Sequence, residues 1–296
     1  MRLDDLYSLA KSKGLKKVAV VCPYEDDALG ALIQATEQGL VAPVAFGDQG
    51  RVKSALQALG SDGAGFEFVH CHDDSLAVEG AVRAVHDGQC HLLMKGMIKT
   101  AKLLSAVLNK EWGLRGKGLL SHMGLIQPRG LDRLLGVTDG GMNTYPDLAA
   151  KVKILENAVA CFHKLGYDCP KVAPLAAVEV VNPDMTATLD AAALVAMNRR
   201  GQLPGCLVDG PFALDNAISE ESARIKGLQS PVAGKADILL VPAIEAGNML
   251  AKAEVFIAGG DMAGVVLGAA APIVMTSRFD TVRSKLLSLA LGAVLA

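Results

Sequence analysis

Near its C-terminus the chain reads Ala271-Pro272-Ile273-Val274-Met275-Thr276-Ser277-Arg278-Phe279-Asp280-Thr281, a short apolar run that breaks into two hydroxyls, a guanidinium and a carboxylate. The apolar residues read as a buried strand. Beyond Asp280, the spacing of Val282, Leu286, Leu289, Ala290 and Ala293 predicts a helix. An arginine where a strand hands over to a helix suits an anion, because helix N-terminal amides already favour negative charge there. Thr276, Ser277 and Asp280 are also good N-cap residues, so a phosphate-type site and a plain helix start both fit this stretch.

Other strand-like segments end in the same manner. Leu92-Leu93-Met94 runs into Lys95-Gly96, followed by a helix from Thr100 to Leu108; the glycine admits a ligand close to the backbone and the lysine supplies positive charge. Ser121-His122 lies within the apolar strand 117–126, and Thr138-Asp139-Gly140-Gly141-Met142-Asn143 follows the strand 134–139. Asp209-Gly210-Pro211 follows the strand 205–208, and the segment up to Asn248 follows the strand 237–241. Polar residues gathered at strand carboxyl ends predict a ligand cleft. His70-Cys71-His72-Asp73-Asp74 reads better as a strand end with helix caps than as a metal site. The first strand, 16–23, is followed by Pro23-Tyr24-Glu25-Asp26-Asp27, so a dinucleotide-binding glycine fingerprint is missing where it belongs.

The elements that must position these residues alternate strand and helix along the whole chain, which predicts an α/β protein with a parallel sheet covered on both faces. Of the 296 residues, 51% are hydrophobic and only 4% aromatic, so the core must be aliphatic. A net charge of -2 and few aromatics argue against nucleic acid as a partner. The longest apolar run, 262–275, is interrupted by Gly264, Gly268 and Pro272 and is shorter than the ~20 residues of a membrane span. No signal peptide is legible, and six scattered cysteines read as reduced core thiols of a cytoplasmic protein.

Taken together, the motifs resemble the phosphate acetyl/butyryltransferase family, and its butyryl branch more than its acetyl branch. The resemblance rests on Met94-Lys95-Gly96 with Thr100, Ser121-His122, Thr138 to Asn143 followed by Tyr145-Pro146-Asp147, Asn182-Pro183-Asp184-Met185, Asp209-Gly210-Pro211, Glu245-Ala246-Gly247-Asn248 and Ser277-Arg278-Phe279-Asp280. It implies two α/β/α domains of the isocitrate/isopropylmalate dehydrogenase kind with a cleft between them, divided as 1–133 plus 270–296 and 134–269. It also implies interconversion of acyl-CoA + phosphate and acyl phosphate + CoA, with a butyryl or other short-chain acyl group. Coenzyme A is then a substrate, no cofactor or metal is expected, neither nucleic acid nor membrane is a partner, and the protein is a homodimer or larger. Ser277, Arg278 and Asp280 become the catalytic candidates. Arg278 would clamp phosphate, Ser277 and Thr276 would donate to the carbonyl oxygen, and Asp280 would serve as base for the thiol or orient the arginine. Lys95, Gly96, Thr100, Ser121, His122, Asp139, Asn143, Asp209, Gly210, Pro211, Asn248 and Thr276 become substrate-binding candidates.

Acetyl-transferring relatives carry an arginine in the helix after Thr100, where this chain has Lys102 and Ser105; Lys95 and Arg115 are the alternatives. The acetyl branch also places its catalytic aspartate further beyond the Ser-Arg pair than Asp280 lies. An acetyltransferase, a dehydrogenase on the same fold, and a non-catalytic CoA- or acyl phosphate-binding module are the competing readings.

Overall fold

The computed structural model describes residues 1–116, 118–277 and 279–296. Its chain divides into two compact units: a terminal unit, Arg2–Gly118 with Met262–Ala296, and a central unit, Leu119–Asp261 joined by Met1.

The terminal unit is built on strands β1 (Lys16–Val21), β2 (Val41–Gly47), β3 (Glu67–His70), β4 (Leu92–Lys95), β10 (Met262–Leu267) and β11 (Ile273–Val274), ordered β3-β2-β1-β4-β11-β10. Pairing is parallel from β3 to β11, and β10 runs antiparallel to β11. The chain steps outward from β1 to β3, then returns to the far side of β1 as β4. Right-handed crossovers therefore place α2 (Asp26–Glu37) and α4 (Asp74–His86) on opposite faces, leaving a topological switch point between β1 and β4. Val18 to Val21 and Leu92 to Met94 are fully buried, as central parallel strands require, each large side chain contributing about 1.5–3 kcal/mol.

The last helix, α11 (Val282–Leu295), is buried nearly all round, against β10, α2 and α1 (Asp5–Ser12). Its polar residues are therefore used inside: the Ser288 hydroxyl accepts from Gly264 N at 2.9 Å and Ser284 from Met262 N at 3.4 Å. Strand β10 went unassigned in the sequence because its continuous apolar run, interrupted by glycines, has no alternating pattern. Its antiparallel pairing with β11 buries both faces.

The central unit orders β5 (Ser121–Ile126), β6 (Leu135–Thr138), β9 (Ile238–Leu240), β7 (Lys171–Pro174) and β8 (Leu207–Val208) side by side. β5 and β6 are antiparallel and the rest parallel. Helices α6 (Leu148–Lys164) and α7 (Thr186–Arg199) pack on each other, with Phe162, Ile154 and Leu194 fully buried. A short helix, α9 (Glu220–Ile225), capped by Ser219, was not foreseen, and α10 (Ile244–Lys252) ends in a π-helical turn, Ala253–Ile257.

Helix starts follow side-chain chemistry. Asp48, Asp73 and Asp147 accept amides of the first turn, and those amides hold the Asp73 carboxyl below its usual range. Cys169 is exposed, while the other five cysteines are buried. No helix among the described residues is long and apolar enough to cross a membrane.

Candidate active site

In the terminal unit, the parallel register sets Ile273 beside Leu93 and Val274 beside Met94, so the segments that follow, Thr276–Asp280 and Lys95–Gly96, emerge together at one sheet end. Val21 pairs with Lys95 there, at the switch point. Gly96 is required by sterics: a Cβ would lie 2.4 Å from both the Val21 and Cys22 carbonyl oxygens, and Gly96 N and Met97 N donate to those same oxygens. Cys22 adopts φ 49°, a left-handed conformation uncommon outside glycine, at the same spot. Thr100 is exposed on the first turn of α5 (Thr100–Val107), which has no side-chain cap.

The start of α11 shows which residue of 276–281 is its cap. Thr281 caps α11, its side chain accepting from Ser284 N at 3.1 Å, so Thr276 and Ser277 are not spent on starting the helix. Ser277 is exposed, Thr276 half-buried and Asp280 buried. One Asp280 carboxylate oxygen accepts from Ser277 N at 2.7 Å, and Asp280 N donates to Ser277 O at 3.2 Å, closing a tight turn. Arg278 lies outside the described residues, as does Lys117 at the start of the predicted strand 117–126, of which only Ser121–Ile126 is strand. Of the two replacements for the missing arginine, Lys95 stands at this sheet end. Arg115 bridges Ala269, before β11 begins, and so sits at the other end.

In the central unit a second cluster forms where β6 ends and the antiparallel β5 begins. Asp139, 2% exposed, accepts four hydrogen bonds: Gly141 N and Met142 N at 2.9 Å, Asn143 N at 3.2 Å and Asn143 Nδ2 at 2.6 Å. Asn143 Nδ2 also donates to Leu120 O at 2.8 Å, and the Thr138 hydroxyl to His122 O at 2.9 Å. Asn248 Nδ2 on α10 reaches Gly140 O at 3.3 Å, and Cβ atoms at Gly140 and Gly247 would collide with each other's backbone. Gly141 lies against the His122 ring. Ser121 is buried, accepting from Asn157 Nδ2 at 2.9 Å. Ser121, His122, Asp139, Asn143 and Asn248 are thus brought together. Asp209, Gly210 and Pro211 follow β8, three strands from β6, or about 14 Å along the sheet.

Asn157, Lys285 and the capping role of Thr281 escaped sequence reasoning. Asn157 and Lys285 left one signal, a polar residue among apolar neighbours in a helix. Burial pushes the thiols of Cys22 and Cys161 up to about 12 and those of Cys90 and Cys206 up to about 11, with Asp74 beside Cys22 adding to the effect. These cysteines stay protonated at neutral pH and offer no nucleophile. His70 and His72 meet edge to face at 4.7 Å, and no group of three metal-ligating side chains forms among the described residues.

Comparison with known proteins gives the family and the fold. Residues 74–293 match the family model described as phosphate acetyl/butaryl transferase. A phosphate butyryltransferase of Clostridium beijerinckii is 43% identical, covering 99% of this chain and 97% of its own length. A phosphate acetyltransferase of Thermotoga maritima is 42% identical over the whole of both chains. Among solved structures, a branched-chain phosphotransacylase from Enterococcus faecalis V583 superposes with a TM-score of 0.85 at 31% identity, covering 95% of this chain and 98% of the other. A 4-hydroxythreonine-4-phosphate dehydrogenase from Klebsiella pneumoniae, at 12% identity, 94% and 99% coverage and a TM-score of 0.54, shares the fold alone. The fold is of the isocitrate/isopropylmalate dehydrogenase-like kind, and the chain belongs to the phosphate acetyl/butaryl transferase family.

Proposed function

We propose that this phosphate acyltransferase works mainly on butyryl or another short-chain acyl group, with phosphate bound at the Thr276–Asp280 turn. The family's reaction is acyl-CoA + phosphate ⇌ acyl phosphate + CoA, and this chain is an enzyme of that kind. In the direction of thioester formation, the CoA thiol gives up its proton, the sulfur attacks the acyl carbon and the C–S bond forms, and the C–O bond to phosphate breaks with phosphate taking the electron pair and, in the overall balance, the proton. Phosphate is a good leaving group, so the chemistry calls for no metal or redox cofactor; coenzyme A enters as a substrate.

The observation that carries this reading is the cap at Thr281, which leaves Ser277, an exposed residue at the sheet end where Lys95 and Gly96 emerge, unspent on the helix start. Ser277 and Thr276 are placed to donate to oxygen as charge builds on it, and Arg278 supplies the fork that clamps phosphate. The bond from Ser277 N to the Asp280 carboxylate supports a shaping role for Asp280 over a base role. An unchanged pH–rate profile in Asp280→Asn would agree; loss of its acidic limb would restore the base. Holding both substrates together supplies much of the rate.

The motif run favours butyryl over acetyl transfer, while relatives named for each match about equally well. Comparing kcat/KM for acetyl-, propionyl-, butyryl- and isobutyryl-CoA tests the preference. A higher value for acetyl-CoA would overturn it and keep the family, and CoA binding without turnover would favour a non-catalytic module. A homodimer or larger assembly in the cytoplasm is part of the proposal. It is supported by exposed Met249, Phe256 and Ile257 along α10 and its π-helical end.

A further inference from the structure

Lys285 is 1% exposed, in the first turn of α11. Both facts are unfavourable for a lysine. A buried ammonium is rare without a charged partner, and the helix N-terminus carries positive partial charge of its own. Among the described residues, the ammonium's recorded partner is a neutral group, the Asp280 carbonyl oxygen. The packing of the helix needs no charge there: Leu286, Leu287 and Leu289 around it are buried and apolar.

What the lysine does hold is the turn before the helix. Its ammonium fixes the Asp280 carbonyl, the Asp280 carboxylate fixes Ser277 N, and Asp280 N returns to Ser277 O. Ser277 and Asp280 are therefore tied to each other, and Asp280 to α11, with Ser277 exposed. We propose that Lys285 is a positioning residue for the phosphate half-site, holding Asp280 and through it Ser277 in place. It does not touch substrate. This rests on the reading that phosphate binds at the Ser277 turn.

The test compares Lys285→Met, Lys285→Arg and Ser277→Ala, reading kcat and the KM values for inorganic phosphate and CoA separately. Lys285→Met is expected to raise phosphate KM at least about tenfold with CoA KM within about twofold, and Lys285→Arg to recover most of the loss. A merely structural lysine would lower Tm and the active fraction without separating the two KM values, and that result overturns the proposal. If Ser277→Ala raises phosphate KM and Lys285→Met does not, this inference alone falls. If Ser277→Ala leaves phosphate KM unchanged, the site reading falls and takes the inference with it. Should Lys285→Met not fold, the 15N resonance of the Lys285 ammonium in the wild-type protein decides: phosphate titration is expected to shift it, and no shift overturns the proposal.

Discussion

The Asp139 loop and the Ser277 turn use the same device to different ends. Each follows a parallel strand, and in each a buried carboxylate accepts backbone amides just downstream or upstream of itself. Asp139 gathers three amides and a side-chain amide, and the loop it shapes is locked further by Asn143 on Leu120 O and by Gly140 against Gly247. Its donors are consumed. At Asp280 one amide is held among the described residues, Ser277 is exposed, and the Lys95 ammonium donates to Gly96 O at 3.2 Å. The difference teaches that one device can saturate a whole loop, as at Asp139, or close only a short turn, as at Asp280. Under the proposed function, Asp139 acts through the loop it shapes, whereas the Ser277 turn meets phosphate directly.

Substitutions can separate the two roles. Arg278→Ala should lose at least about 100-fold in kcat/KM, about 2.7 kcal/mol of transition-state stabilisation, with Tm little changed. Asp139→Asn should instead cost about 2–3 kcal/mol in denaturant unfolding, since an amide nitrogen would face donors it cannot accept from. Should Asp139→Asn lose activity with full stability, the comparison fails. Gly96→Ala forces strand ends apart and should cost about 2 kcal/mol, with phosphate KM rising alongside.

The smallest effect is expected at Glu254, in the π-helical turn of the central unit, where burial raises the carboxyl above its usual range and one oxygen lacks a partner among the described residues. A raised carboxyl binds its proton more tightly folded than unfolded. Stability is therefore lost as pH climbs from the ordinary glutamate value of ~4.3 through the folded value. Glu254→Gln should match the parent protein in acid and exceed it near neutrality, as read from unfolding curves at both pH values. Equal stability throughout would show that Glu254 finds a partner.

The alternation of elements was legible because buried parallel strands and capped helices leave strong local patterns: α4 and the start of α6 fall where spacing and Asp73 or Asp147 put them. The residues that gather at each strand end were legible for the same reason. What local pattern could not carry was competition between caps. Thr276, Ser277, Asp280 and Thr281 are equivalent in sequence, and only the start of α11 assigns the cap to Thr281. Nor could it show that Asp139 is saturated, since its donors depend on how the loop folds back, or that Lys285 reaches backward to a carbonyl. The distinction between Lys95 and Arg115 needed the direction of β11.

The central claim is phosphate-dependent acyl transfer. Its most direct measurement follows the ultraviolet absorbance of the butyryl-CoA thioester with and without inorganic phosphate, trapping product with hydroxylamine. The account predicts thioester loss only when phosphate is present, with butyryl hydroxamate recovered in equal amount. Thioester loss independent of phosphate, or none in its presence, would contradict it.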